Sequence, residues 1–327
     1  MNKPRIALVG ASHWHVPLYV EGLKRLNANV CGVSDENQAY ANQVATELDT
    51  ISYGSFDELL EKTKPDFVFA FAEHDRMPHL AHRLIDDGIP FAMEKPVGLD
   101  YREVEELAQR AEAKNVFCSI PFVWRYSEAV TRLRSFLQHD PCIHSSFRFV
   151  SGPPQRYMHN GSPWMLDARR AGGGCMTNLG AHFIDLGLYL TRESQARVLS
   201  ARHHYTYGYP VEDYSVALLT TPGGSTITLE TGYAYPMDSV KQRENTWNIV
   251  SKDGFHTLTE GTLESRFNHQ KHQMLSVITN SDTMYPIFVK ETLNDWMKGN
   301  PPAVDLRQMA LVRKILDDIN EQASKNK

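Results

Sequence analysis

The first 120 residues alternate short apolar runs with amphipathic stretches, and this rhythm narrows the fold more than any single motif. Residues 5–10 (RIALVG), 30–35 (VCGVSD), 66–72 (DFVFAFA), 90–94 (PFAME) and 117–122 (FCSIPF) have the near-continuous hydrophobicity of strands buried on both faces. Between them, three apolar sets fall at helical spacing: Leu18, Leu23 and Leu26; Leu80, Leu84 and Ile85, with Gly88 as C-cap; and Val104, Leu107, Ala108 and Ala111. A shorter helix is expected over 57–60. Strand–helix alternation of this kind builds right-handed βαβ units, hence a doubly wound parallel sheet in an α/β domain.

After residue 122 the pattern changes. One helix is expected over 127–137. Long alternating segments follow at 145–150, 215–221, 225–233 and 246–250, with Pro222-Gly223-Gly224 as a hairpin turn. These predict a large open, mainly antiparallel sheet in an α+β domain, one face buried and the other available to ligand or partner. A closing helix over 305–323 carries Met309, Val312, Ile315, Leu316 and Ile319 on one side. At 327 residues the chain divides into two domains, taken as 1–122 and 123–327.

The net charge of −5 comes without any Lys/Arg block, which argues against a nucleic-acid partner. The apolar runs are too short to span a bilayer, and the first residues lack the apolar stretch of a signal peptide. Cys31, Cys118, Cys142 and Cys175 are scattered without a CxxC pair and read as free thiols. A cytoplasmic enzyme fits these features.

Two segments carry chemistry. At the end of the first strand stands Gly10-Ala11-Ser12-His13-Trp14-His15. The dinucleotide fingerprint uses three glycines, for a tight turn, for close approach of pyrophosphate and for close helix packing. Here Gly10 is retained, while Ser12 and His15 take the second and third places. A serine still lets phosphate approach and donates a hydrogen bond. A histidine at the third place must push the helix away or lie across its N-terminus, where it could meet the anion. The second strand ends in Asp35, whose carboxylate can accept both ribose hydroxyls of NAD. Glu36 and Asn37 follow, with no adjacent cation for a 2′-phosphate, so NAD is expected ahead of NADP. Ala72, at the end of the third long strand, and Glu94 complete the expected cofactor contacts, with Lys95 beside them. His13 with His15, His203 with His204, and His269 with His272 make poor metal pairs, and no metal is expected.

Lys95 lies in Glu94-Lys95-Pro96, where a buried strand opens into a loop. Poor solvation there lowers an amine's pKa toward acid–base use, and the proline can fix an unusual backbone geometry, a cis peptide included. The second segment is the glycine-rich approach Gly172-Gly173-Gly174 to a helix expected from Thr177. On that helix Asn178, His182 and Asp185 share a face at i, i+4 and i+7. In both segments a structural role, as a solvated strand end or a satisfied helix start, competes with the catalytic one.

Taken together, these residues resemble the glucose–fructose oxidoreductase, inositol dehydrogenase and rhizopine-catabolism family (Gfo/Idh/MocA). The carriers are Asp35, Glu94-Lys95-Pro96, Trp124-Arg125-Tyr126, the 172–185 segment, Val211-Glu212-Asp213-Tyr214, and the ending over 288–319 with Trp296 and Pro301-Pro302. The resemblance implies an NAD(P)-binding Rossmann domain, then a substrate-binding and oligomerisation domain that makes a homodimer or homotetramer through its sheet. It implies hydride transfer between nicotinamide and a secondary alcohol of a sugar, cyclitol or related polyol, with the substrate next to the helix of His182. Lys95 would be the family's active-site lysine and His182 its histidine.

Three departures matter. The fingerprint is degenerate. Glu73-His74 replaces the family's proline-asparagine step, and Met77 stands where a histidine is common. Asn178 stands where the family has aspartate, and a neutral amide can orient the histidine but cannot offset its charge. The proton is therefore expected on Lys95, or on His182 with Asp185 orienting it. Arg125, Tyr157, His159, Trp164 and Arg169 are candidates for substrate contact. Two other readings remain: a hydrolase that uses NAD to oxidise a glycoside transiently, and a silent NAD- or sugar-binding regulator.

Overall fold

The computed structural model describes residues 3–241, 243–268 and 271–325, and divides the chain into two compact units. The first comprises Met1–Pro121, Asn160–Trp164 and Asp282–Ala310; the second comprises Phe122–His159, Met165–Ser281 and Leu311–Lys327. After the cut near residue 122 the chain therefore returns to the first unit twice, in the five-residue segment 160–164 and in the segment 282–310.

In the first unit, β1 (Arg5–Val9), β2 (Asn29–Ser34), β3 (Ser52–Tyr53), β4 (Phe67–Ala70), β5 (Phe91–Met93) and β6 (Cys118–Ser119) form a parallel sheet in the order β3-β2-β1-β4-β5-β6. Every residue of β4 and β5 is buried, as a sheet covered on both faces requires. Helices α1 (Val16–Arg25), α2 (Gln38–Glu47), α3 (Phe56–Thr63), α4 (Met77–Asp86) and α5 (Tyr101–Ala113) connect the strands. Several starts are set by short polar caps: Asn37 accepts from the Ala39 N–H, Ser55 from Glu58, and Asp100 from Arg102 and Glu103. The helix Tyr285–Lys298 belongs here because it packs on α1. At their contact a Cβ on Gly22 would lie 2.9 Å from the Val289 Cβ, so glycine is what lets the backbones approach.

The second unit is built on an eight-stranded sheet of β7 (Cys142–Ser151), β8 (Arg197–His204), β9 (Tyr214–Thr220), β10 (Thr226–Gly232), β11 (Arg243–Ser251), β12 (Gly254–Thr259), β13 (Thr262–Phe267) and β14 (Gln273–Ser276). Their order is β14-β13-β12-β11-β7-β10-β9-β8, antiparallel except where β7 and β10 run parallel. Strict alternation sends Phe147, Phe149, Ile227, Leu229, Trp247 and Ile249 to one face, where the helix Ala181–Thr191 inserts Phe183. From Leu306–Lys325, the residues Met309, Val312, Ile315, Leu316 and Ile319 are buried, as their spacing predicts. Cys118, Cys142 and Cys175 are buried thiols. Among the described residues no helix is long and apolar enough to cross a membrane.

Candidate functional site

The turn leaving β1 is shaped by its backbone. Gly10 sits at φ +87°, and a Cβ there would stand 2.1 Å from the Phe71 carbonyl oxygen, so this position excludes any side chain. The Gly10 and Ala11 N–H groups both donate to the Ser34 carbonyl, at 2.8 and 3.2 Å. Asp35 then fastens the loop to β2: one carboxylate oxygen accepts from the Ser12 N–H and the other from the Asn37 N–H, each at 2.7 Å. A cleft of about 670 Å³ opens beside this turn. Of the residues expected to hold the cofactor, Gly10, Ser12, His13, Asp35 and Ala72 line it, whereas Trp14, His15, Glu94 and Lys95 do not.

Sequence reasoning missed several of its walls. Glu36 and Arg76 pair across it at 3.0 Å, Phe56 and His79 meet edge to face, and Trp164 arrives with the short return of the chain. Trp164 was expected to touch substrate; here its ring meets His74 edge-on at 4.8 Å. The acidic and aromatic content of the segments after β2 and β4 was visible, but nothing local marked them as neighbours.

Behind the loop lies a buried polar cluster. His15 donates from Nδ1 to Glu94 Oε1 at 2.9 Å, and the Tyr19 hydroxyl donates to the same oxygen at 2.9 Å. His15 thus directs Nδ1 inward to the Glu94 carboxylate. Burial alone would raise the Glu94 carboxyl, but the charge and hydrogen bond of His15, with His13 and Lys95 nearby, hold it at about 2. His13 accepts the His15 N–H at its Nδ1, so the neutral ring carries its proton on Nε2. Burial, with the charge of His15, pushes the His13 pKa well below the usual histidine range. Lys95 is 3% exposed, and the bond to Pro96 is cis.

In the second unit, the glycine-rich approach is held by Glu212. Its carboxylate accepts the N–H groups of Gly174 and Met176, at 2.7 and 3.0 Å, while a Cβ on Gly174 would strike the Glu212 carbonyl at 2.0 Å. The regular helix expected from Thr177 is replaced by a π turn, Met176–Gly180, before the α-helix Ala181–Thr191. Asn178 donates from Nδ2 to the Tyr157 hydroxyl at 2.7 Å and to the Tyr233 hydroxyl at 3.1 Å, and Arg156 also donates to Tyr157 at 2.7 Å. Tyr157 is fully buried and serves as a partner of Asn178. Half-buried His182 meets the Phe122 ring edge-on at 5.8 Å. Asp185 binds the Arg125 guanidinium with both oxygens, at 2.8 and 2.5 Å, which ties Arg125 to the helix Ala181–Thr191. His159 and Arg169 are exposed.

No group of three or more His, Cys, Asp or Glu among the described residues is placed to hold a metal ion. His203 lies between Ser215 and Asn320, and His272 meets Glu264; His269 falls outside the described residues.

A dihydrodiol dehydrogenase, trans-1,2-dihydrobenzene-1,2-diol dehydrogenase from Sus scrofa, is 24% identical over 211 residues, 62% of this chain and 59% of the relative's length. The Bos taurus protein of the same name is 25% identical over similar shares. Among solved structures, GenD2 from gentamicin A biosynthesis in complex with NAD superposes with a TM-score of 0.85 at 18% identity, over 100% of this chain and 96% of that one. Levoglucosan dehydrogenase in complex with NADH and levoglucosan gives 0.87 at 13% identity, over 100% and 98%. Residues 4–122 match the oxidoreductase family with an NAD-binding Rossmann fold, and residues 142–255 match the GFO/IDH/MocA C-terminal domain. These two matches span most of the chain, which belongs to the Gfo/Idh/MocA family of NAD-binding oxidoreductases.

Proposed function

We propose that this protein is an NAD-dependent dehydrogenase or reductase acting on a secondary alcohol of a sugar-, cyclitol- or diol-like substrate. The observation that carries the reading is the cleft beside Gly10, closed to any side chain at that residue and bordered by the Asp35 carboxylate. Those features fit a dinucleotide: the turn admits a pyrophosphate near the start of α1, and Asp35 keeps acceptor capacity for ribose hydroxyls. The acidic setting of Asp35 and Glu36, with Arg76 held by Glu36, favours NAD over NADP. The named relatives and neighbours, a dihydrodiol dehydrogenase and a levoglucosan dehydrogenase, point to a polyol or cyclic sugar as substrate.

When bound, the nicotinamide supplies the hydride acceptor or donor. The protein's share is proton handling and orientation. Lys95 and His182 are the two basic groups proposed to take the hydroxyl proton and to steady the developing oxygen charge. Asn178 fixes the turn ahead of His182 through the two tyrosines, and Asp185 does the same for the helix through Arg125. The first unit is proposed as the nucleotide domain. The second is proposed as the substrate domain, its outer sheet face pairing copies in a homodimer or homotetramer.

Titration with NADH and NADPH, read by energy transfer from tryptophan to the reduced nicotinamide, tests this reading. Saturable NADH binding well ahead of NADPH supports it and justifies a screen of polyols for NADH production. Binding of neither by cofactor-free protein overturns it.

A further inference from the structure

We propose that His15 and Glu94 are a positioning pair that ties the dinucleotide loop to the peptide carrying Lys95, so that cofactor grip depends on a buried contact in place of the fingerprint's third glycine. The inference rests on the reading of the cleft as a dinucleotide site.

His15 is the residue immediately before α1 and makes no side-chain cap to that helix. Its imidazole instead runs inward to Glu94 Oε1 at 2.9 Å, both side chains being more than nine-tenths buried. Nδ1 carries the hydrogen directed at Glu94 whether the ring is neutral or charged. Three other residues close on the pair. Tyr19 of α1 donates to the same carboxylate oxygen, Tyr285 at the start of its helix reaches His15 Nδ1 at 3.4 Å, and the His15 N–H is taken by His13. The ionisable groups facing the pair are therefore His13, Lys95, Tyr19 and Tyr285, with His74 next to His13.

A carboxylate this deep is costly unless it is paired and hydrogen-bonded. His15 supplies one of its donors, and it does so from the residue that sets where the first N–H groups of α1 point. Glu94 is covalently next to Lys95, and its own N–H reaches the Ala70 carbonyl at 3.3 Å on the adjoining strand. A shift at either end is passed to the other. A glycine at position 15 would fit the fingerprint better in outline, yet here it would remove the tie and leave Glu94 to Tyr19.

The test is NADH affinity and cofactor-free urea unfolding for His15→Gly, His15→Asn, Glu94→Gln and the His15→Gly/Glu94→Gln pair. His15→Gly is expected to weaken NADH about tenfold or more despite its better match to the fingerprint. His15→Asn, which keeps a donor near the Nδ1 position, is expected to stay within about threefold of the parent. In the Glu94→Gln background His15→Gly is expected to add little, because the charge needing the donor is gone. NADH bound equally or more tightly by His15→Gly overturns the inference. So does coupling seen in urea with NADH affinity untouched, since the pair would then be structural only. Failure of the parent protein itself to bind NADH removes the dinucleotide reading and this inference with it, and that outcome is distinguished because it needs no variant.

Discussion

At the scale of single residues, the functional segments are held by carboxylates that each serve two donors. Asp35 accepts the Ser12 and Asn37 N–H groups, so it shapes the loop before any ribose arrives. Replacing it with Ala removes the staple and, on the proposed reading, the ribose acceptors. Hydrogen bonds to charged groups contribute roughly 1.5–3 kcal/mol each, so NADH affinity should fall by about 10- to 100-fold, with NADPH penalised less. Parallel titrations with the two cofactors check this. Arg125 and Asp185 form the other pair, 12% and 1% exposed, with the guanidinium also stacked 4.4 Å from the Tyr189 ring centre. Arg125→Met strands a buried carboxylate and should cost about 3–5 kcal/mol, whereas Arg125→Met with Asp185→Leu should recover much of that loss. Urea unfolding of the three proteins decides it, and equal midpoints for single and double variants would count against the pairing as the cause.

At the scale of elements, burial sets both what the sequence reveals and how the fold responds to pH. His256 on β12 stacks on Phe136 with ring centres 5.2 Å apart and meets Ser265 at 2.9 Å. Burial lowers its pKa to about 4, partly opposed by Asp140. The unfolded chain therefore takes up the proton first: stability is full well above the unfolded value near 6.5 and is lost as pH falls toward 4. Between pH 7.5 and 5 this amounts to about 2 kcal/mol, and His256→Phe should flatten that part of the urea midpoint–pH curve. The same dependence on burial explains what could be read. β1, β4 and β5 were legible because both faces are apolar, and Met309 to Ile319 because one helix face is. α2 was not, since it buries only Ala41, Val44 and Ala45, and β8 and β14 were not, since RVLSARHH and QMLS lack clean alternation. The cleft beside β1 was half legible: Gly10 and Asp35 announce themselves locally, whereas Arg76, His79 and Trp164 are assembled by topology. His15 was visible as an anomaly, but its partner Glu94 lies just past β5, beyond any local period.

At the scale of the molecule, the face of the eight-stranded sheet turned away from Phe147 and Trp247 is the one proposed to pair copies of the chain. Register places Thr257, Asn248, Ser146, Thr228 and Leu218 in one row across β12, β11, β7, β10 and β9. An antiparallel sheet can face water, but strands that do so normally alternate with charged residues. This row carries none, and the charges appear beside it, where Arg148 meets Glu230 at 2.8 Å. An uncharged centre with a charged border is the composition of an interface core and its rim. Isologous pairing of two such faces would bring Thr228, near the middle, close to its counterpart in a second copy. Thr228→Arg would then bury two like charges on association, yet in a lone chain it is a half-exposed substitution expected to move stability by no more than about 0.5 kcal/mol. Sedimentation equilibrium should therefore show an oligomer for the parent protein and a monomer for Thr228→Arg, with unchanged urea midpoints at concentrations where both are monomeric. A monomeric parent at tens of micromolar, or an oligomer that survives the arginine, would remove this face as the interface.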